Sequence, residues 1–400
     1  MSQRLILTLG LFLIGTLHTM ILAIFQIPKN FLMGHESSTF ALICKLILYT
    51  IAIFVSVKHQ TLCRALGLRK TLYFGLLCNF FGIATLFLNT YFSQGDGLIA
   101  LVLLDMIFFG MALTSVVNVL VTYITIEFPK KVGLGIVALF AFFNLGPMIA
   151  PILVDYFQTF QDHSILYFFL MFLLLVSIWY VHANFFDAPI DPEKVHLRKG
   201  SLIWKQLHYR LALFVVAIIA YGFTESTFSL WGYTQIKGVL GASIADDAIP
   251  FFWMFLIVGQ IILLIPLYFF PAKRIFYFLV VLTISVALAF PSQQHLAGFL
   301  VSLCLAGFGC SAVFPILLSQ MEKELLPFIA RSKLLPYIEK SISLMIAGYF
   351  IGVGLIDLWV ELSAIHPVLS SAAHFRLAAG TIAFTGLISL FLDLTVPKNE

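Results

Sequence analysis

The sequence predicts an all-α membrane protein of twelve spanning helices in two bundles of six, with both termini cytoplasmic. Three observations carry this. Of the 400 residues 61% are hydrophobic and only 10% are charged, and the mean hydropathy is +1.03. A soluble domain carries roughly a quarter charged residues, so an ordinary water-soluble enzyme is excluded. The apolar residues fall in runs of about twenty, the length that crosses a hydrocarbon core of about 30 Å as a helix. The cations, finally, gather in every second connection between these runs.

The runs are delimited by charges, prolines and glycines. The first, 5–27, lies between Arg4 and Pro28-Lys29 and is too long for a signal peptide, so it is expected to be retained. The second, 38–57, ends at Lys58; the third, 71–92, opens after Arg69-Lys70 and closes before Gly95-Asp96. The fourth, 97–123, precedes Glu127 and Pro129-Lys130-Lys131. The fifth, 132–154, ends at Asp155, and the sixth, 164–184, lies between Asp162 and Asp187. In the second half, 208–233 stops short of Lys237-Gly238, 248–270 runs from Asp247 to Pro271, and 275–290 from Arg274 to Pro291. The last three are 296–320 before Glu322-Lys323, 337–360 before Glu361, and 376–396 before Lys398. The longest polar connection, 187–207, divides the chain into an N-terminal bundle, 1–186, and a C-terminal bundle, 208–400.

Cytoplasmic loops retain Lys and Arg. With the N-terminus inside, eighteen of the 23 cations fall on one side and only Lys29, Lys237 and Arg376 on the other; Lys45 and Lys340 lie within or at the edge of spans. The net charge of +4 thus follows from topology and implies no nucleic-acid partner. Cys44, Cys63, Cys78, Cys304 and Cys310 have no metal-ligand spacing and read as small core residues. No P-loop, HExxH or GxSxG motif occurs. No cofactor, metal or enzymatic activity is expected, and ATP-driven pumping would need a nucleotide-binding domain that these residues do not supply. The outer loops carry no N-x-S/T acceptor, which fits a bacterial inner membrane.

Local patterns add a family. Between spans two and three, Leu62-Cys-Arg-Ala-Leu-Gly67-Leu-Arg69-Lys70 is similar to the G-x-L-A-D-R-x-G-R-K loop of the major facilitator superfamily: Gly67, Arg69 and Lys70 fit, while Arg64 replaces the acid and Gln60 the first Gly. Asn144-Leu-Gly146-Pro147-Met-Ile-Ala150-Pro151 resembles half of the antiporter motif. Four further patterns resemble the sugar-porter branch of fucose:proton symporters. They are Tyr221-Gly222-Phe-Thr-Glu225, Val258-Gly259-Gln260 (where the branch has Gly-Arg), Gly307-x-x-x-Ser311-x-x-Phe314-Pro315, and Gly348 to Asp357 on span eleven. The resemblance implies two halves rocking around a midplane site, with spans one, four, seven and ten lining the cavity. It also implies that the glycines of spans five and eleven, among them Gly146, Gly348 and Gly352, line the seam between halves.

Polar groups inside apolar spans usually face protein or a cavity. At about 1.5 Å per residue, His18, Lys45, Asp105 and Glu225 reach about 8–12 Å below the outer surface on four different helices. Lys45 and Asp105, opposite in charge at matching depth, are expected to form a structural ion pair. Glu225, Asp105 and His18 are the candidate proton-coupling groups. His18, Asn118, Tyr221, Thr224, Trp231 and Gln235 are the candidate substrate contacts, residues 224, 228, 231 and 235 sharing one helical face. Rings beside hydroxyls and amides suit a small polar, sugar-like solute. The resulting expectation is a secondary active transporter, proton-coupled and monomeric, whose partners are a small-molecule substrate, protons and the lipid bilayer. Two alternatives stay open: an exporter of amphipathic compounds or metallophores by proton antiport, and a non-transporting sensor or assembly subunit.

Overall fold

The computed structural model describes residues 3–26, 38–89, 96–128, 131–158, 163–185, 202–325, 331–365 and 371–395. Most of the polar connection at 187–207, and the loop after span one, lie outside the described residues. The described chain is helical, and twelve segments are long and apolar enough to cross a membrane.

The helices are α1 (Gln3–Gln26), α2 (Ser38–Leu66), α3 (Leu68–Asn89), α4 (Asp96–Glu127), α5 (Val132–Gln158), α6 (His163–Asn184), α7 (Leu202–Leu240), α8 (Ala242–Phe269), α9 (Ala272–Ala289), α10 (Leu296–Cys310), α11 (Val313–Leu325), α12 (Arg331–Ile365) and α13 (Ser371–Leu394). Spans one to nine are α1 to α9, span ten is α10 with α11, and spans eleven and twelve are α12 and α13. Several boundaries differ from the sequence reading: span two, read to residue 57, continues to Leu66, and span eight, read from 248, begins at Ala242. Span seven continues to Leu240, its Lys237 standing over the Tyr233 ring at 5.9 Å. Span nine ends where Pro291 begins a short 3-10 turn over Phe290–Ser292. Span ten is broken at Ser311-Ala312.

The chain forms two compact units, one of residues 1–123 and 142–192, the other of 124–141 and 193–400. The end of α4 and the first turns of α5 therefore group with the second unit. In both, the surface is apolar: Trp179, Ile265, Phe269 and Leu394 are 68–77% exposed, a pattern that water would penalise and lipid does not.

Small residues set the helix spacing inside each unit. Three of the glycines expected at a seam, Gly146, Gly348 and Gly352, meet helices of their own unit. A Cβ on Gly146 of α5 would meet Thr16 O and Met20 N of α1, and one on Gly352 of α12 would meet Ile219 O and Phe223 N of α7. Backbones can approach this closely only where no side chain intervenes. Polar side chains also tie helix ends together. Gly67, at φ +84°, turns the chain between α2 and α3. Two residues on, Arg69 donates to His182 O of α6 at 3.1 Å and to Tyr73 Oη at 3.1 Å. Lys70 is exposed. In the second unit Arg210 of α7 donates to Leu392 O at the end of α13, a cation placed where a helix C-terminus favours one. Asp393 pairs with Lys273 at 2.5 Å and accepts from Tyr277 at 2.8 Å, joining α9 to α13.

Candidate functional site

The polar residues of the first unit are arranged around α3. His18 of α1 is fully buried, and its Nδ1 accepts from Asn79 of α3 at 2.8 Å. That bond places the ring proton on Nε2. Asp105 of α4 is also fully buried, and accepts from Thr85 through one carboxylate oxygen and from Asn89 at 3.0 Å through the other. Lys45 is an exposed side chain of α2. The expected Lys45–Asp105 ion pair is therefore not formed. A hydroxyl and an amide one helical turn apart on α3 satisfy the carboxylate without the desolvation cost of a second buried charge. Asn118, further along α4, donates to Ser56 of α2 at 3.1 Å.

This arrangement has a measurable consequence. Asp105→Ala removes the acceptor of the half-buried Asn89 amide and one of the acceptors within reach of the Thr85 hydroxyl, which keeps Phe81 O and Gly82 O, and should destabilise the protein by about 1–3 kcal/mol. Lys45→Ala should stay within about 0.5 kcal/mol. A double-mutant cycle by thermal unfolding should show additivity; coupling above about 1 kcal/mol would restore the ion pair.

The second unit carries a different centre, at the meeting of α7, α10, α11 and α12. Glu225 is 7% exposed, and its Oε1 accepts from the Tyr349 hydroxyl of α12 at 2.9 Å. Among the described residues no cation pairs with it. Gly222, facing the Tyr349 carbonyl, and Gly352 let α12 approach α7 closely enough for this bond. Tyr221, one turn before Glu225, stacks on Phe314 at 6.3 Å and on Tyr349 at 6.3 Å, while Phe314 and Tyr349 meet at 4.9 Å. The result is one buried carboxyl at the edge of three aromatic rings, with two phenol hydroxyls directed at polar atoms.

The break in span ten has a local cause. In a continuous helix the Ser311 carbonyl would accept from the residue four positions on, but that residue is Pro315, which has no N–H. Gln260 of α8 donates to the Ser311 carbonyl instead, at 2.9 Å. The preceding carbonyl, Cys310 O, accepts from the Tyr221 hydroxyl at 2.8 Å. Helical bonding resumes with Ile316 N–H to Ala312 O at 2.9 Å. Gly259 allows Gln260 its reach, because a Cβ there would lie 2.7 Å from Ser311 Oγ.

The face of α7 read as a substrate surface divides. At about 100° per residue, Glu225 turns toward α12 while Thr224 turns toward α13. Thr224 bonds Thr381 Oγ1 at 2.8 Å and Ala220 O at 3.0 Å. Phe228 is core, against Phe252, Phe290 and Phe375. Trp231 stacks on His374 of α13 at 3.6 Å, and Gln235 reaches the Pro291 carbonyl at 3.5 Å. Tyr221 and Glu225 are thus brought together, whereas Thr224, Trp231 and Gln235 serve the packing of α7 inside its bundle. Tyr349 was missed, being one of 14 tyrosines with no motif to mark it. Gln260 and Phe314 lay inside recognised patterns, although nothing local indicated their contacts.

The family profile described as Major Facilitator Superfamily matches residues 7–327. No curated protein matches the sequence. Solved structures do match in fold. A single-residue variant of the Escherichia coli fucose:proton symporter FucP is similar over 98% of this chain and 99% of its own, with TM-score 0.76 and 14% identity. A bacterial homologue of the iron transporter ferroportin in an outward-facing state gives 0.72 at 12% identity, over 98% and 100% of the two chains. The human organic anion transporter MFSD10 gives 0.71 at 12% identity, over 97% and 99%.

Proposed function

Because the chain belongs to the Major Facilitator Superfamily, we propose that it is a secondary active transporter that moves a small polar organic solute by alternating access and couples the movement to protons. Transport itself accords with the family and with twelve spanning helices. The observation that carries the coupling is Glu225, a carboxyl within a spanning helix, bonded to a phenol and without a cationic partner among the described residues. A carboxyl so placed holds or releases its proton according to its access to water. His18 and Asp105, each bonded to α3, are held within the first unit and are the secondary candidates. The functional halves are 1–186 and 208–400, joined by 187–207. The sugar-like reading rests on aromatic rings beside hydroxyls, the chemistry that meets both faces of a small polyol. The same rings support a second reading, export of amphipathic compounds by antiport.

The test is transport in proteoliposomes of the whole protein, with an imposed pH gradient and a panel of sugars, amino acids and amphipathic cations. Accumulation of one solute above its external concentration, abolished by a protonophore, is expected. Solute-dependent thermal stabilisation without any movement would instead identify a sensor. The direction of accumulation relative to the proton gradient separates symport from antiport.

The same reading puts both termini in the cytoplasm of a bacterial inner membrane, with the chain a monomer. Ser243 and Arg274 are both exposed and flank opposite ends of α8. In a background lacking the five native cysteines, Ser243→Cys should react with a membrane-impermeant maleimide in intact cells. Arg274→Cys should react only after permeabilisation. The opposite pattern would invert the topology.

A further inference from the structure

We propose that Tyr221 is a positioning residue that transmits the protonation of Glu225 to the bend in span ten, by sharing its single phenolic proton between Glu225 and the Cys310 carbonyl. The inference rests on the reading of Glu225 as the coupling group and adds to it the route by which a proton alters the backbone.

Two carbonyls at the break, Cys310 and Ser311, are held by side chains and not by the helix. Gln260 holds Ser311 at 2.9 Å, and an amide donor of that kind does not depend on pH. Tyr221 holds Cys310 at 2.8 Å, and Glu225 stands one turn further along the same helix, bonded to the Tyr349 ring that stacks on Tyr221. Among the described residues, the titratable groups facing Glu225 are Tyr221 on its own helix, Tyr349 on α12 and Cys310 on α10. Tyr349 already donates to Oε1. The competition therefore falls on Tyr221.

A phenol has one proton to donate and can accept a second bond. When Glu225 is neutral, its own O–H can point at the Tyr221 oxygen while Tyr221 donates onward to Cys310, a chain in which each bond polarises the next. The observed Tyr221–Cys310 bond is the arrangement expected of this state. When Glu225 loses its proton to water, the carboxylate becomes an acceptor whose bonds are roughly twice as strong as neutral ones. The Tyr221 hydroxyl then rotates toward it. No proton leaves the phenol, but the Cys310 carbonyl, next to the Ser311 carbonyl that Pro315 cannot serve, loses its side-chain donor. Ionisation of Glu225 thus loosens the bend, and protonation tightens it.

The experiment is amide hydrogen exchange of the full-length protein in nanodiscs between pH 5 and 9, corrected for the intrinsic chemical rate and read on peptides covering 308–320. Infrared difference spectra follow the Glu225 carboxyl band in parallel, identified by its loss in Glu225→Gln. In the parent, protection across the break should fall about two- to tenfold, the range of one net hydrogen bond, as the carboxyl band titrates. Glu225→Gln, whose amide can still donate to Tyr221, should stay protected at every pH. Tyr221→Phe, which keeps the ring stack, should be deprotected at every pH while the carboxyl band still titrates. Tyr349→Phe should retain the step. A step that persists in Glu225→Gln overturns the relay even if Tyr221→Phe does not fold. A parent-like step in Tyr221→Phe, with the band titrating, overturns the relay and leaves Glu225 as the coupling group. Absence of any titrating band overturns both.

Discussion

Glu225→Gln should abolish accumulation of substrate against its gradient while leaving exchange between equal pools within about threefold of the parent. Glutamine preserves the shape of the side chain and can accept from the Tyr349 hydroxyl as the carboxylate oxygen does at 2.9 Å, so the aromatic stack has no reason to rearrange. It cannot take up or release a proton, so the solute and proton movements are no longer linked. The expected accumulation ratio falls to about one at any imposed pH gradient, since coupling supplies all of the driving force. Binding, followed as ligand-dependent thermal stabilisation, should persist. Counterflow and uphill uptake measured on the same proteoliposomes separate the two functions. If the Gln variant concentrates substrate as well as the parent does, Glu225 is a structural hydrogen-bonding group and coupling belongs to His18 or Asp105.

The largest effects on stability should come from glycines whose missing side chain is what allows two backbones to meet. A Cβ on Gly352 would meet Ile219 O and lie 3.0 Å from Phe223 N, and one on Gly307 would meet Phe252 O and lie 3.0 Å from Leu256 N. The obstacles are main-chain atoms of long helices, which cannot rotate aside. Gly352→Ala and Gly307→Ala should each cost about 1–3 kcal/mol by overpacking, despite the better helix propensity of alanine. Gly380, also inside a helix, faces open space. Gly380→Ala should stabilise by up to about 1 kcal/mol. The opposite signs of chemically identical substitutions make the comparison informative in thermal unfolding of the purified protein. Gly352→Ala should in addition weaken the Tyr349–Glu225 bond, because it separates α12 from α7, whereas Gly307→Ala acts on α8 and α10. Equal and small effects at all three positions would mean that the close helix contacts contribute little.

The residues differ in how much of their environment the sequence discloses. Composition and the spacing of charges determine that the chain crosses the membrane twelve times as helices, because a hydrocarbon solvent admits backbone only when its polar groups are bonded within the segment. A missing N–H such as that of Pro315 is a local property and marks where a helix can break, though Pro147, Pro151 and Pro266 leave their helices continuous. Glu225 stood out for a similar reason: a carboxyl among apolar residues needs an explanation wherever it points. The partners of these groups were not legible. Asp105 and Lys45 share a depth, and depth alone suggested an ion pair, but depth does not specify azimuth. Thr85 and Asn89 of α3 turn out to face the carboxylate, and Lys45 is exposed.

The same distinction separates Glu225 from Thr224. Adjacent in sequence, they project about 100° apart around α7. Which of the two meets a hydroxyl from α12 and which is absorbed by α13 depends on how the helices are rotated about their own axes. That rotation is set by glycine contacts such as Gly222 on Tyr349 and Gly352 on Ile219, each between residues more than a hundred positions apart. The sequence by itself therefore determined the number of spans and the presence of an isolated carboxyl in the seventh, both consequences of local chemistry in a solvent of low polarity. Only the tertiary structure decided that this carboxyl sits beside Tyr221 and Tyr349 and that Gln260 completes the broken helix, because those contacts follow from the packing of whole helices, which no local pattern records.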